Sequence, residues 1–462
     1  MITKLVKKSD AMKVPAKPPN IKDIPLTQQI YTSLIGSQGL LGATTEKGEY
    51  LHWDQLRVKQ PRPFNLSAKQ WWAATKVARK QIYKLLPFVD IHHKPFLLAI
   101  PYEITQKLYM LDRPILGSSL DQALIEESMV EEAISSSQLE GAATTRKVAK
   151  EMIRSRRKPR NRDEQMILNN YHAMQYIKEI KDEPLSIELI LALHKIVTEK
   201  TLDNKKDEGK LRRTDEIEII DIATNEVLHT PPKAKELQAR LEKLCDFANE
   251  DEIKLAPHTG YESSKFHEMF MISPQKTFIH PIVRGIILHF MLAYDHPFVD
   301  GNGRTARALF YWYMARQGYA WFEIISISQV IKDAATQYGK AFLYTETDEN
   351  DITYFIFHQI DVILKAWNKF IHHFSEQTKE INAIEQKLKA YKLNHRQLAL
   401  LRYAISYPQA HLLIDEHKQS HRISYETART DLLSLVKLGL LSKKEVGKAF
   451  IFIATEKLAN LK

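Results

Sequence analysis

The stretch His296-Pro-Phe-Val-Asp-Gly-Asn-Gly-Arg-Thr-Ala-Arg307 constrains this chain more than any other. It joins two apolar helical patterns, over 280–294 and 302–316. Pro297 stops the first helix, and Gly301-Asn302-Gly303 supplies backbone freedom that other residues lack. Such a turn feeding a helix presents unpaired N–H groups and the positive end of the helix dipole, which together make an anion cradle. Arg304 and Arg307, at i and i+3, point to one side of the first turns, and two guanidinium groups above a nest of N–H groups suit a polyphosphate. Asp300 at the lip is placed to hold a Mg²⁺ bridging phosphate oxygens. His296 ends the preceding helix and is suited to act as a general base. Phosphoryl or nucleotidyl transfer is the chemistry this set implies: His296 deprotonates a hydroxyl that attacks phosphorus, while the turn and Asn302 stabilise the developing charge.

The segment resembles the Fic family signature, His-Pro-Phe-x-(Asp/Glu)-Gly-Asn-Gly-Arg-x-x-Arg, at every defined position. That resemblance implies a protein adenylyltransferase, which moves AMP from ATP onto a Ser, Thr or Tyr hydroxyl of a target protein and releases pyrophosphate. It implies His296 as base, Phe298 as core anchor, Asp300 as Mg²⁺ ligand, and Gly301, Asn302 and Gly303 as the α/β-phosphate cradle. Arg304 would meet the β-phosphate and Arg307 the γ-phosphate. The related Doc-like kinases carry Lys where this chain has Gly303, which argues against γ-phosphoryl transfer. The apolar run Ile217, Ile219, Ile220, Ile222, a turn at Asn225, then Val227 and Leu228 reads as a short β-hairpin over 217–230. The resemblance makes it the flap on which a target chain docks as an edge strand.

Ser136-Ser-Gln-Leu-Glu140-Gly141 lies at the end of a helical pattern over 121–141 and resembles the family's inhibitory motif, (Ser/Thr)-x-x-x-Glu-(Gly/Asn). Lying N-terminal to the core, it resembles the family subclass with an N-terminal inhibitory helix. Glu140 would pair with Arg307 and withhold it from the γ-phosphate. The signature fixes phosphate geometry and not the base, so a de-AMPylase and a transferase using another nucleotide stay open.

The expected fold is mainly α: a Fic-type helical bundle with one β-hairpin flap and a small C-terminal winged helix-turn-helix domain. Helical patterns run over 164–181, 186–198, 233–249, 327–345 and 350–390. The domain reading is 1–25 a Lys/Pro-rich arm, 26–160 an N-terminal helical region, 161–370 the catalytic domain, 371–391 a helical linker and 392–462 the winged helix. The net charge of +10 over 462 residues is weak grounds for a polyanionic partner. Its distribution is informative: from residue 392 onward, twelve Lys and Arg face six Asp and Glu. This leaves DNA open as a second partner and the chain open as a DNA-binding regulator with a Fic sensor. A homodimer stays open too, since winged helices also serve protein contacts. The basic loop 154–162 is either a solvated linker or an anion-binding edge. A single cysteine, Cys245, excludes an internal disulfide framework and sits in an apolar helical register. No apolar run is long enough to span a bilayer, and no secretory leader pattern is visible; a cytoplasmic protein without membrane contact is the expectation.

Overall fold

The structure, a computed structural model, describes residues 13–25, 42–112, 122–221, 224–250, 278–406, 411–446 and 449–460. Of the residues singled out in the sequence, Asp121, Ile222 and the first part of the arm lie outside that set. The chain forms two compact units, Met1–Trp367 and Asn368–Lys462.

In the first unit, α1 (Ala68–Lys80) opens on a capping box between Ser67 and Gln70 and buries Trp71 and Trp72. Then follow β1 (Tyr83–Val89) and β2 (Pro95–Ala99), an antiparallel pair with an irregularity between Leu85 and Val89. The sequence pattern suggested no hairpin here. After α2 (Tyr102–Leu111) comes α3 (Gln122–Leu139). Ile125, Met129, Ala133 and Ser136 are buried as the pattern required, but Glu132, Ser135 and Ser137 are buried too. Glu132 is satisfied by donors from Tyr311, Ser326 and Ser328, so α3 packs on more than one side.

Next are α4 (Arg146–Arg154), α5 (Arg162–Ile180) and α6 (Ile187–Thr198), the last two capped by Asn161 and Ser186. The basic loop between α4 and α5 is tied down, with Arg157 fork-bonded to Glu164 at 2.7 and 2.8 Å. The flap is shorter than expected: β3 (Ile219–Ile220) pairs with β4 (Val227–His229). Ile217 stands outside the pair, 2% exposed, and is a core residue rather than a strand residue. Then come α7 (Leu237–Asn249), α8 (Pro281–Asp295) and α9 (Asn302–Arg316). α8 is buried at every position but Ala293, as an all-round apolar central helix must be. Its Arg284 is accommodated by the carbonyl of Phe247 and by Glu250, and its His289 by the Tyr338 hydroxyl. The pattern over 327–345 predicts one helix. The chain instead breaks at Ala334 (φ −139°, ψ 45°) into α10 (Ile327–Asp333) and α11 (Ala335–Thr347). The long α12 (Thr353–Leu388) follows.

The second unit contains α13 (His395–Ser406), α14 (Ile414–His421) and α15 (Tyr425–Lys437), then β5 (Leu441–Val446) paired antiparallel with β6 (Ala449–Ala454). Ser424 caps α15, and Leu401, Leu432, Leu435, Leu440 and Phe452 belong to the core of this unit. Three helices followed by a hairpin is the element order anticipated for 392–462.

Candidate active site

α9 packs against α5, α6 and α8, and its N-terminal turn lies by the start of α5 and the end of α6, just after α8 ends. His296 follows α8 in a left-handed conformation (φ 45°, ψ 56°), which turns the chain out of the helix. Its Nδ1 lies 3.4 Å from the Ala293 carbonyl; donation there puts the lone pair on Nε2. Burial lowers its pKa to about 3, so the imidazole is neutral at physiological pH.

Gly301 has φ 86°, and a Cβ there would stand 2.6 Å from Thr198 Cγ2. Both facts require glycine. The Asn302 side chain does a different job from the one its position suggests. Its Oδ1 accepts from Phe298 N and its Nδ2 donates to Phe298 O, each at 2.9 Å, so it braces the turn from within. Phe298 is fully buried. Its ring stacks on His194 at 3.7 Å with 5° between planes.

His194 had no signal in the sequence beyond its place on a helix. Gly209 N donates to its Nδ1 (3.0 Å), so Nε2 carries the proton and donates to the Asp300 carbonyl (2.9 Å). Burial holds its pKa down at about 4, in keeping with that neutral tautomer. Asp300 Oδ1 accepts from Gly301 N at 2.6 Å and lies 3.7 Å from Arg304. Its Oδ2 lies 3.8 Å from Arg162, and the side chain is 33% exposed.

Arg304 and Arg307, expected to point to one side of α9, part company. Arg304 Nη1 donates to the Val197 carbonyl at the end of α6 (2.8 Å). Arg307 turns toward α3: Nε donates to Ser136 Oγ (3.0 Å), and Nη2 to Ser136 O (3.1 Å) and to Glu140 Oε1 (2.9 Å). The structure therefore brings Ser136, Glu140 and Arg307 together. Burial opposes charge on Arg307, but the Glu140 carboxylate beside it holds its pKa above the usual value. A Cβ at position 303 would collide with Glu140 Oε1 and stand 3.1 Å from Arg307 Nη1. Gly303 is thus the residue that lets a carboxylate rest over the start of α9.

One cleft gathers Glu140, His296, Asn302, Gly303 and Arg307, roofed by Ile219 and Leu228 of the flap and floored by Tyr338 and Phe342. Ile220 is half-buried and Val227 is 46% exposed on the hairpin. Two further residues escaped the sequence reading. Arg212, 4% exposed, donates from Nε to the His296 carbonyl (2.9 Å). His229 stands at the end of β4 with Nδ1 on Glu346 Oε2 (2.8 Å) and Nε2 on the Tyr294 carbonyl (2.7 Å). Both ring nitrogens face acceptors. Burial opposes protonation, but Glu346 outweighs it and the pKa is raised.

Among the described residues no group of three His, Cys, Asp or Glu is placed to hold a metal unaided. Asp300 offers a part-exposed carboxylate beside the cradle. This fits Mg²⁺, which takes one or two protein carboxylates and draws its other ligands from phosphate and water. No helix among the described residues is long and apolar enough to cross a membrane.

Comparison with known proteins matches the Fic/DOC family model to residues 184–314, which hold α6 through most of α9. The chain is 29% identical to the protein adenylyltransferase Fic of Drosophila willistoni over 152 residues, 32% of this chain and 23% of that protein. With the Drosophila mojavensis protein of the same name it shares 42% over 52 residues, 11% of this chain and 10% of the relative. The chain thus spans less than a quarter of the length of these two relatives. Among solved structures, a Fic family protein from Desulfovibrio desulfuricans G20 superposes with a TM-score of 0.47 at 16% identity, covering 77% of this chain and 97% of the other.

Proposed function

We propose, for a chain that belongs to the Fic/DOC family through residues 184–314, that it is a protein adenylyltransferase held in check by its own Glu140. The observation that carries the reading is the grouping of His296, the glycine turn and Arg307 in one cleft beneath the flap. ATP would lay its phosphates over the N-terminus of α9, where backbone N–H groups, Arg304 and Arg307 meet the negative charge. A Ser, Thr or Tyr hydroxyl of a protein strand docked along Ile219, Ile220, Val227 and Leu228 would reach His296 Nε2. His296 takes the hydroxyl proton, the oxygen bonds to the α-phosphorus, and the bond from that phosphorus to the β-bridging oxygen breaks, releasing pyrophosphate. Asp300 would hold Mg²⁺, which when bound would supply charge neutralisation on the phosphates.

Glu140 supports the restraint. Its carboxylate occupies the approach to Gly303 and engages the arginine assigned to the γ-phosphate. A nucleotide then binds with its phosphates displaced from in-line geometry. The test is incubation with Mg²⁺ and ATP labelled in the α-phosphate. Wild type labels itself or a target weakly, Glu140→Gly more strongly, and His296→Ala not at all. Label that persists without His296 removes the base from this assignment.

Removal of AMP from a modified protein, and transfer from another nucleotide, use the same residues; a nucleotide panel and a hydrolysis assay on AMPylated protein separate them. The C-terminal unit supports a second reading, DNA binding, through its helix–helix–helix–hairpin order and basic composition. Binding of duplex DNA by the whole chain that does not weaken with salt would argue against phosphate contacts.

A further inference from the structure

The flap is tied to the residues around the catalytic turn by two buried side chains, one at its feet and one inside β4. Arg212, just before β3, spends its guanidinium on backbone carbonyls: His296 through Nε (2.9 Å), Thr214 through Nη1 (2.7 Å) and Pro232 through Nη2. Its own N–H donates to the Pro297 carbonyl at 2.9 Å. Thr214 precedes the hairpin and Pro232 follows it, so one planar group joins both feet of the flap to the base residue. His229 makes a second tie from inside β4, to the Tyr294 carbonyl (2.7 Å), while Glu346 on α11 holds its other nitrogen (2.8 Å). Tyr294, His296 and Pro297 are the residues over which α8 ends and the chain enters its left-handed turn.

The arrangement is costly unless it does something. Burial holds the pKa of Arg212 below the usual arginine value, because a guanidinium shielded from water is paired here mainly with carbonyls. The forked group fixes three carbonyls in one plane, which a lysine cannot do. A left-handed conformation at His296 is strained for a residue with a Cβ and persists only where surrounding contacts over-determine it. Arg212 and His229 are among those contacts.

We propose that Arg212 and His229 are positioning residues that lock His296 to the flap, so that the strand on which a target docks and the base that deprotonates it form one rigid unit. The proposal rests on the transfer reading for its purpose, but not for its test. The full chain is labelled with ¹³C at histidine Cε1, and the His296 resonance is identified by its loss in His296→Ala. Spectra and pH titrations are then compared for wild type, Arg212→Lys, Arg212→Ala and His229→Gln, with melting curves as the fold check and MgATP binding measured in parallel.

The expected result is a displaced His296 resonance in all three variants, largest in Arg212→Ala and smaller in Arg212→Lys. Its titration moves up from about 3 toward the ordinary histidine value. MgATP binding of the Arg212 variants stays at the wild-type level, since the cradle does not use that side chain. A His296 resonance and titration unchanged in folded variants would overturn the proposal. If Arg212→Ala does not fold, Arg212→Lys and His229→Gln decide alone. Loss of label transfer with these ties intact would count against the reaction and not against the positioning.

Discussion

Replacing Glu140 by glutamine should make the protein less stable without nucleotide and more responsive to it. Arg307 is 1% exposed and donates to the two Ser136 oxygens and to the Glu140 carboxylate, with the Tyr338 hydroxyl as a further neutral partner. Removing one partner of a buried ion pair costs about 3–5 kcal/mol when nothing replaces it. Glutamine keeps an acceptor oxygen at the same reach, so the loss falls to about 1–3 kcal/mol, while glycine incurs the full amount. At roughly 2 °C per kcal/mol for a large unit, Glu140→Gln should melt about 2–6 °C below wild type. MgATP then supplies the missing anion. Ligand at a hundred times its dissociation constant adds about 2.7 kcal/mol, so the variant should recover most of its loss. Wild type, whose own carboxylate competes for Arg307, should gain less under the same nucleotide. The assay is a thermal melt of both proteins across a MgATP titration. A variant as stable as wild type without nucleotide, gaining no more from MgATP, would refute the claim that Glu140 occupies a phosphate position.

Gly301→Ala should weaken MgATP binding measured by calorimetry, because a left-handed conformation costs about 1–2 kcal/mol for a residue with a Cβ and the methyl meets Thr198 at 2.6 Å. His194→Phe keeps an aromatic face for Phe298 but leaves Gly209 N and the Asp300 carbonyl without their partner. Each orphaned group costs about 1–3 kcal/mol, read in urea unfolding, and nucleotide binding should fall with it. Four buried histidines, His52, His194, His289 and His296, and the half-buried His358 have pKa values lowered by desolvation from 6.5 to between about 3 and about 4. Their folded forms bind fewer protons than the unfolded chain, so the stability they contribute is complete above pH 6.5 and is lost as pH falls through that window. Unfolding free energy measured between pH 7 and pH 4 should drop steeply, and a flat profile would contradict the neutral buried state.

What the sequence revealed was local. The apolar run into Arg316 and the glycines around Asn302 set the bounds of α9 correctly, because helix start, turn and core face are all written within fifteen residues. The hairpin of β1 and β2 stayed hidden because Pro87 lies inside β1, where proline argues against pairing. No glycine or proline marks the break at Ala334, so packing sets it rather than local preference. The contacts of His194, Arg212 and His229 span 106, 84 and 117 residues, and no spacing rule reaches that far. Asn302 shows the opposite limit: a residue rightly singled out whose side chain serves the turn itself.

The most direct test of the central claim is mass spectrometry of the intact and digested chain after incubation with Mg²⁺ and ATP, for wild type, Glu140→Gly and His296→Ala. The account predicts an adduct of one adenosine monophosphate on a Ser, Thr or Tyr hydroxyl, more abundant in Glu140→Gly than in wild type and absent in His296→Ala. A single phosphate in place of that adduct, or an adduct formed equally without His296, would contradict it.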